Sequence, residues 1–167
     1  MCQALIEDGN ADQAVEIHHT IVKMRNWPIV LFYTCVIEAY LKFGKTKGAL
    51  ETYRGMLDAG VAPNSYTYTV LINDLTADPN FSRDAKKCLL EMMDKGMRPN
   101  AATCTAVIES FAKQEDEASE EECKELVEVM VGKGFVPNAK AMREVLKGRP
   151  TPLVKRVMTI VLSNLKG

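Results

Sequence analysis

The sequence contains no long apolar run, because nothing in its 167 residues approaches the roughly 18 uncharged residues that a membrane-spanning helix needs. We therefore expect no membrane partner. The first residues, Met1 to Leu5, also lack the basic segment and apolar stretch of a secretory signal peptide. Hydrophobic residues make up 47% of the chain, which is enough to build the buried core of an ordinary globular domain.

Cysteine and histidine are too few and too scattered for a disulfide framework or a metal site. The cysteines are odd in number and form no C-x-x-C pair. They are Cys2, Cys35, Cys88, Cys104 and Cys123. His18 and His19 are adjacent, whereas two histidines that share a metal on a helix stand four residues apart. The sequence predicts no metal ligands and favours a reducing compartment.

Catalytic motifs are missing as well. The chain has no glycine-rich phosphate loop, no H-E-x-x-H sequence and no paired-carboxylate motif. Its isolated acidic residues fall on the predicted outer faces of helices. We therefore expect no enzyme activity, no catalytic residues and no cofactor.

Charge is balanced in sum but not along the chain. The net charge of −1 and the pI of about 6.2 argue against a strongly basic, non-specific nucleic-acid binder. Between Lys140 and Gly167, seven basic residues and one acid give +6, so the rest of the chain carries −7. This basic stretch fits a phosphate-binding patch or a solvated capping face, and the sequence leaves both open.

Four prolines recur at near-constant spacing, since Pro28, Pro63, Pro99 and Pro137 are separated by 35, 36 and 38 residues. The last three stand in phrases of the form Gly-x-x-Pro-Asn, in which each residue has its own effect. The glycine supplies the left-handed conformation that ends a helix. The proline prevents the helix from continuing, and the asparagine can cap the next one. The phrases are Gly60 to Asn64, Gly96 to Asn100 and Gly134 to Asn138.

Apolar residues between these stop phrases recur at helical spacing, so each unit is predicted to hold two amphipathic helices. Ser82 is predicted to cap one second helix, and Ser119 with Glu122 has the capping-box spacing at the next. The chain is predicted to comprise a partial N-terminal repeat at residues 1–29, three full repeats at 30–64, 65–100 and 101–138, and a partial repeat with a C-terminal capping helix at 139–167.

A period near 35 is typical of two helical repeat families, of which the tetratricopeptide type opens with a W-x-x-L-G-x-x-Y pattern that is absent here. Glu91-Met92 followed by Gly96-Met97-Arg98-Pro99-Asn100 matches the pattern that closes a pentatricopeptide repeat, and Tyr68-Thr69-Val70-Leu71-Ile72 matches its opening. The sequence resembles the pentatricopeptide repeat family, as a short array of its P type. The resemblance implies an all-α fold, a right-handed α-solenoid of helix-turn-helix repeats.

The same resemblance implies single-stranded RNA as the partner, with one base read per repeat by two side chains. These base-reading pairs would be Thr34 with Asn64, Thr69 with Asn100, and Thr105 with Asn138. In the family's code a threonine and asparagine pair favours adenine, so an A-rich target is implied. The bases would stack on Leu31, Tyr66 and Ala102, and the phosphates would meet Lys42 and Lys113, while Ala77 stands at the middle lysine position.

Two functions remain open. The first is an RNA-binding module of a plant organelle, chloroplast or mitochondrion, that acts in RNA processing, splicing, stability or translation; its transit peptide would be absent from this chain. The second is a protein–protein interaction scaffold or a subunit of a larger organellar ribonucleoprotein. The acidic balance and the small number of repeats favour the second. A protein partner or a homodimer would also lengthen a short RNA footprint.

Overall fold

The computed structural model describes residues 28–165 of the chain. The predicted partial repeat at 1–29, except for its last two residues, and the pair His18 and His19 lie outside the described residues. Residues 28–165 form eight α-helices and a short 3-10 helix at Pro79–Phe81, with no β-strand, so the predicted all-α class is confirmed. The α-helices are α1 (Ile29–Lys42), α2 (Thr46–Asp58), α3 (Ser65–Leu75), α4 (Ser82–Asp94), α5 (Ala101–Ala112), α6 (Glu117–Gly132), α7 (Ala139–Val145) and α8 (Thr151–Leu165).

The chain divides into two compact parts, Met1–Asn64 and Ser65–Gly167, here called the N-terminal and C-terminal parts. In the described portion of the N-terminal part, α1 and α2 pack against each other as a helical hairpin. The side chains between the two helices are apolar and buried, as the helical spacing predicts. They are Val36, Ile37, Tyr40, Ala49, Leu50, Tyr53 and Met56.

Gly48 allows this close approach, because a Cβ atom added there would lie 2.5 Å from Cδ1 of the buried Tyr40 ring. We predict that Gly48→Ala destabilises the protein, since overpacking a core costs about 1–3 kcal/mol. Gly55→Ala in the same helix has nothing within 4 Å of the new Cβ. It should instead stabilise by about 0.5–1 kcal/mol through the ordinary helix preference of alanine. Denaturant unfolding of both variants checks the prediction, and a gain in stability for both would contradict it.

The C-terminal part consists of three successive helical hairpins, α3–α4, α5–α6 and α7–α8. Each hairpin packs on the next, since α5 contacts α3, α4, α7 and α8, and α6 contacts α8. The fully buried side chains between the helices are large and apolar, among them Leu71, Ile72, Leu75, Leu89, Met92, Ile108, Leu126 and Met130. The last helix is also docked by a polar contact, because Arg156 Nη1 donates to the carbonyl oxygen of Ala112 at 2.9 Å.

Each predicted stop phrase ends a helix in the way that its residues require. Gly60, Gly96 and Gly134 have φ angles of 73°, 78° and 84°, in the left-handed region that favours glycine. At each one the glycine N–H and the N–H of the following residue donate to carbonyl groups of the last helical turn, the pattern of a Schellman motif. The orphan carbonyls at the end of α2, α4 and α6 are satisfied in this way.

Two of the predicted caps are wrong. Ser82 is the first residue of α4 and makes no cap; it is buried, and its Oγ accepts from Gln114 Nε2 at 3.1 Å. The N-cap of α6 is Asp116, whose carboxylate accepts from the backbone N–H of Ser119 at 2.8 Å and from its hydroxyl at 2.7 Å. Ser82 instead bonds Gln114 of the next hairpin, and Ser119 bonds the capping Asp116 of its own helix and Gln114.

The Ser119 hydroxyl and N–H, which stabilise the ionised carboxylate, lower the pKa of Asp116 below its usual value. Because the pKa of Asp116 is lower in the folded protein than in the unfolded chain, its ionised carboxylate stabilises the fold. This stabilisation is fully present above the unfolded-state pKa of about 3.9 and is lost as the pH falls through the folded-state pKa. We predict that Asp116→Asn, which keeps a capping side chain without the charge, has a lower Tm than wild type at neutral pH. The difference should shrink as the pH falls below about 4 and vanish below the folded-state pKa of Asp116, and a Tm difference that is independent of pH would contradict the prediction.

Candidate nucleic-acid interface

The three predicted base-reading threonines adopt one conformation. Each lies six residues after a repeat proline, and each hydroxyl donates to the carbonyl oxygen four residues earlier. The donor–acceptor distances are 2.8 Å for Thr34, 2.8 Å for Thr69 and 2.6 Å for Thr105. Thr34 and Thr105 are buried and Thr69 is half-buried. Because each hydroxyl proton points into the helix backbone, the oxygen lone pairs are what these side chains can offer to a ligand.

Two of the three predicted base-reading asparagines are helix caps. Asn100 Oδ1 accepts from the N–H of Thr103 at 2.8 Å at the start of α5, and Asn138 Oδ1 accepts from the N–H of Ala141 at 3.1 Å at the start of α7. Both residues are exposed, whereas Asn64 is half-buried. Capping uses the carbonyl oxygen of the side chain, so the amide NH2 group is the donor that each cap presents.

The fold of the C-terminal part brings two of the three pairs onto neighbouring helices. Thr69 lies on α3, which packs against the helix α5 that Asn100 caps. Thr105 lies on α5, which packs against the helix α7 that Asn138 caps. Thr34 and Asn64 both belong to the N-terminal part.

The predicted stacking positions differ in exposure. Tyr66 in the first turn of α3 is 54% exposed, Ala102 is exposed and Leu31 is half-buried. A half-exposed aromatic ring at the start of a first helix is available to a base, since base–aromatic stacking is worth about 1–3 kcal/mol. Ala102 offers a base little contact area.

Both predicted phosphate-contacting lysines are exposed. Lys42 Nζ lies 5.6 Å from the centre of the Phe43 ring, and Lys113 Nζ lies 3.2 Å from Glu109 Oε1. Lys113 is therefore paired with a carboxylate of its own helix. Ala77, at the equivalent position of the repeat between them, is exposed.

Glu109 was missed by the sequence reasoning, which places the acidic residues on outer faces. Its side chain is only 6% exposed, and Oε1 also accepts from Arg149 Nε at 2.9 Å. Glu109 lies one turn beyond Thr105 and one turn before Lys113, so the three share one face of α5. The spacing of Thr105, Glu109 and Lys113 was the available signal, because residues four positions apart lie on the same face of a helix.

The buried cysteines of the C-terminal part are core residues. Burial raises the pKa of Cys104 to about 11 and of Cys88 and Cys123 to about 12, so their thiols stay protonated at neutral pH. Over residues 28–165, no group of three or more histidine, cysteine, aspartate or glutamate side chains is placed to hold a metal ion. No helix in that part of the chain combines the length and apolar character needed to cross a bilayer.

Comparison with known proteins places these features in a family. The PPR repeat family model matches residues 28–76, which span α1, α2 and α3. The structure is similar to the crystal structure of the pentatricopeptide repeat protein PPR10 from maize, with a TM-score of 0.61 and 18% identity over 99% of this chain. Residues 28–76 of this chain therefore match the pentatricopeptide repeat family, and the chain has the fold of a pentatricopeptide repeat protein.

The match to maize PPR10 confirms the predicted solenoid fold class, and at 18% identity this similarity shows the fold alone. The chain spans about a quarter of that protein, 24% of its length. A search of curated proteins finds no match. Pentatricopeptide repeat proteins are in general RNA-binding scaffolds without catalytic activity, and they typically act in organelles.

The ion pair at Glu109 yields a stability prediction. Arg149→Gln removes the guanidinium from a buried carboxylate, and we expect a loss of about 1–3 kcal/mol in the free energy of unfolding. The Arg149 side chain is 48% exposed, and solvent screening should keep the loss near the lower end. Arg83→Gln is the matched control, because Arg83 is 77% exposed and pairs with Glu122 at 2.8 Å, so its loss should stay below about 1 kcal/mol. Equal losses in denaturant unfolding would contradict the prediction.

Proposed function

We propose that this protein binds single-stranded RNA and selects adenine through its threonine and asparagine pairs. In this proposal it acts in a chloroplast or mitochondrion, in RNA processing, splicing, stability or translation. The observation that carries the proposal is the recurrence of one pair at one position in three repeats. In the C-terminal part, packing of the first helices supports it by placing the two members of a pair on neighbouring helices.

The hydrogen-bonding capacity left to each pair fits adenine. The threonine hydroxyl donates to the backbone, so toward a ligand its oxygen accepts. The capping asparagine accepts a backbone N–H through Oδ1, so toward a ligand its NH2 donates. An adenine edge carries an amino donor beside a ring-nitrogen acceptor. Guanine carries a carbonyl oxygen in place of that amino group. This acceptor would face the threonine oxygen, which is also an acceptor, so no hydrogen bond could form.

Thr69 with Asn100 is the pair best suited to a first test. Thr69 is half-buried and Asn100 is exposed, whereas Thr105 is fully buried. The neighbouring Tyr66 ring, 54% exposed, supplies a stacking surface in the first turn of the same helix as Thr69. A base at this repeat therefore needs the least rearrangement of the protein.

A protein-interaction scaffold is the second candidate, alone or as a subunit of a larger ribonucleoprotein. It is favoured by the neutralised Lys113 and by large apolar side chains on the surface, namely Ile29, Tyr66 and Val136, which are 59%, 54% and 61% exposed. Exposed aromatic and apolar residues are enriched at protein interfaces. A homodimer would use the same kind of surface.

The double variant Thr69→Asn, Asn100→Asp tests base reading. Aspartate caps a helix as well as asparagine does, so the start of α5 is expected to survive the change. We predict that wild type prefers A-rich over U-rich RNA oligomers and that the double variant shifts its preference towards uridine. Binding of labelled oligomers at low and moderate salt measures the ratio of the two affinities.

Thr159→Asn, Asn80→Asp is the matched control for this experiment. The Thr159 hydroxyl also donates to the carbonyl four residues earlier, at 2.8 Å, but on the second-helix α8, and Asn80 is an exposed residue of the 3-10 helix. The control should keep the wild-type preference. RNA binding that ignores sequence, and that the Thr69 and Asn100 changes leave unaltered, would sink the adenine assignment. Failure of wild type to bind RNA at low salt would favour the scaffold.

A further inference from the structure

The partial fourth repeat keeps the frame of the three full repeats. The positions three, six and ten residues after each repeat proline are equivalent in all four repeats. They define three sets of residues that can be compared from repeat to repeat. In the first three repeats the sets contain aliphatic or aromatic, threonine, and acidic or amide residues, apart from the alanine at 102. The sets are Leu31, Tyr66, Ala102 and Lys140; Thr34, Thr69, Thr105 and Arg143; and Glu38, Asn73, Glu109 and Lys147. In the fourth repeat all three positions are basic.

These three basic residues share one exposed face. Lys140 and Arg143 are three residues apart and lie on the same side of α7, and Lys147 follows in the turn directly after the helix. The opposite side of α7 and its C-terminal turn is anchored in the core by Met142 and Leu146, which are 1% and 2% exposed. The lysines and the arginine are all exposed to solvent.

Most of this charge is not used inside the protein. Within residues 28–165, the side chains of Lys140 and Arg143 form no ion pair and no hydrogen bond. Lys147 pairs with Glu144, but both side chains are well exposed, at 72% and 61%, and such surface pairs contribute little to stability. Arg149 is different, because its Nε is held by Glu109 at 2.9 Å.

Helix stability explains only part of the pattern. A cation near the C-terminus of a helix is favoured by the helix dipole, which accounts for Lys147. Lys140 is the second residue of α7, at the positive end of that dipole, where a cation is unfavourable. The position of Lys140 is therefore better accounted for by an anion outside the protein.

We propose that the exposed face formed by Lys140, Arg143 and Lys147 binds the phosphodiester backbone of single-stranded RNA beside the nucleotide that the third repeat faces. This inference rests on the proposed RNA-binding function. Helix α7 packs against α5, which carries Thr105, and Asn138 caps α7. The face reads no base, because Arg143 replaces the threonine and Gly148-Arg149-Pro150 follows without a closing asparagine. It adds affinity without adding selectivity.

The test is the salt dependence of RNA binding by Lys140→Gln, Arg143→Gln. For single-stranded RNA each phosphate contact contributes about 0.7 to the slope of log affinity against log salt. Loss of two contacts should lower the slope by about 1.4 and weaken binding about 25-fold at 0.1 M salt. The preference for A-rich over U-rich oligomers should stay as in wild type, and circular dichroism melting confirms that the variant is folded.

Lys87→Gln, Lys155→Gln is the matched control, since it removes the same charge from exposed positions on the second helices α4 and α8. It should leave the slope close to that of wild type. Equal slopes for wild type, test variant and control would overturn the inference while the base preference stood. An equal drop in the test variant and the control would also overturn it, because net charge would then explain the effect. Absence of RNA binding by wild type at low salt would overturn both proposals.

Discussion

The left-handed glycine that ends each second helix is the constraint on which the rest of the arrangement depends. It closes the helix through two backbone hydrogen bonds and turns the chain, after which proline and asparagine start the next first helix three residues on. The asparagine therefore always precedes a first helix by the same step. After Asn64 and Asn100 the residue five positions later is Thr69 and Thr105, which falls at the same point of each first helix. Because the residues that end each helix recur at near-constant spacing, the polar side chains that follow them recur at the same spacing.

In the proposed function, capping and base reading would use different atoms of the same asparagine side chain. A capping asparagine commits its carbonyl oxygen to the backbone, as Asn100 and Asn138 do, and this fixes the side chain in one orientation. The same fixation directs the amide NH2 group at no further entropic cost on binding. A threonine whose hydroxyl donates to its own helix is fixed in the same manner.

Sequence reasoning succeeded where a local pattern decides the outcome. The stop glycines, the asparagine caps at 100 and 138 and the paired helices follow from residues within a few positions of one another. It failed where partners come from distant parts of the chain. Ser82 turns inward to Gln114, 32 residues away, and Glu109 is buried by Arg149, 40 residues away. The ion pair between Glu109 and Arg149 produces no repeated sequence pattern, because it occurs at one junction and depends on how one repeat packs on the next.

Glu109 also bears on how such repeats can be exchanged. A helical repeat array is often treated as a row of interchangeable modules, each contacting only its neighbours. Here the third repeat holds a buried carboxylate whose main partner, Arg149, belongs to the fourth, and Arg156 of α8 reaches back to the last carbonyl of α5. Replacing the fourth repeat with a generic module would leave the buried Glu109 carboxylate with only the exposed Lys113 as its partner. In the design of a hybrid array, the third and fourth repeats therefore have to be moved together, as one unit of two repeats.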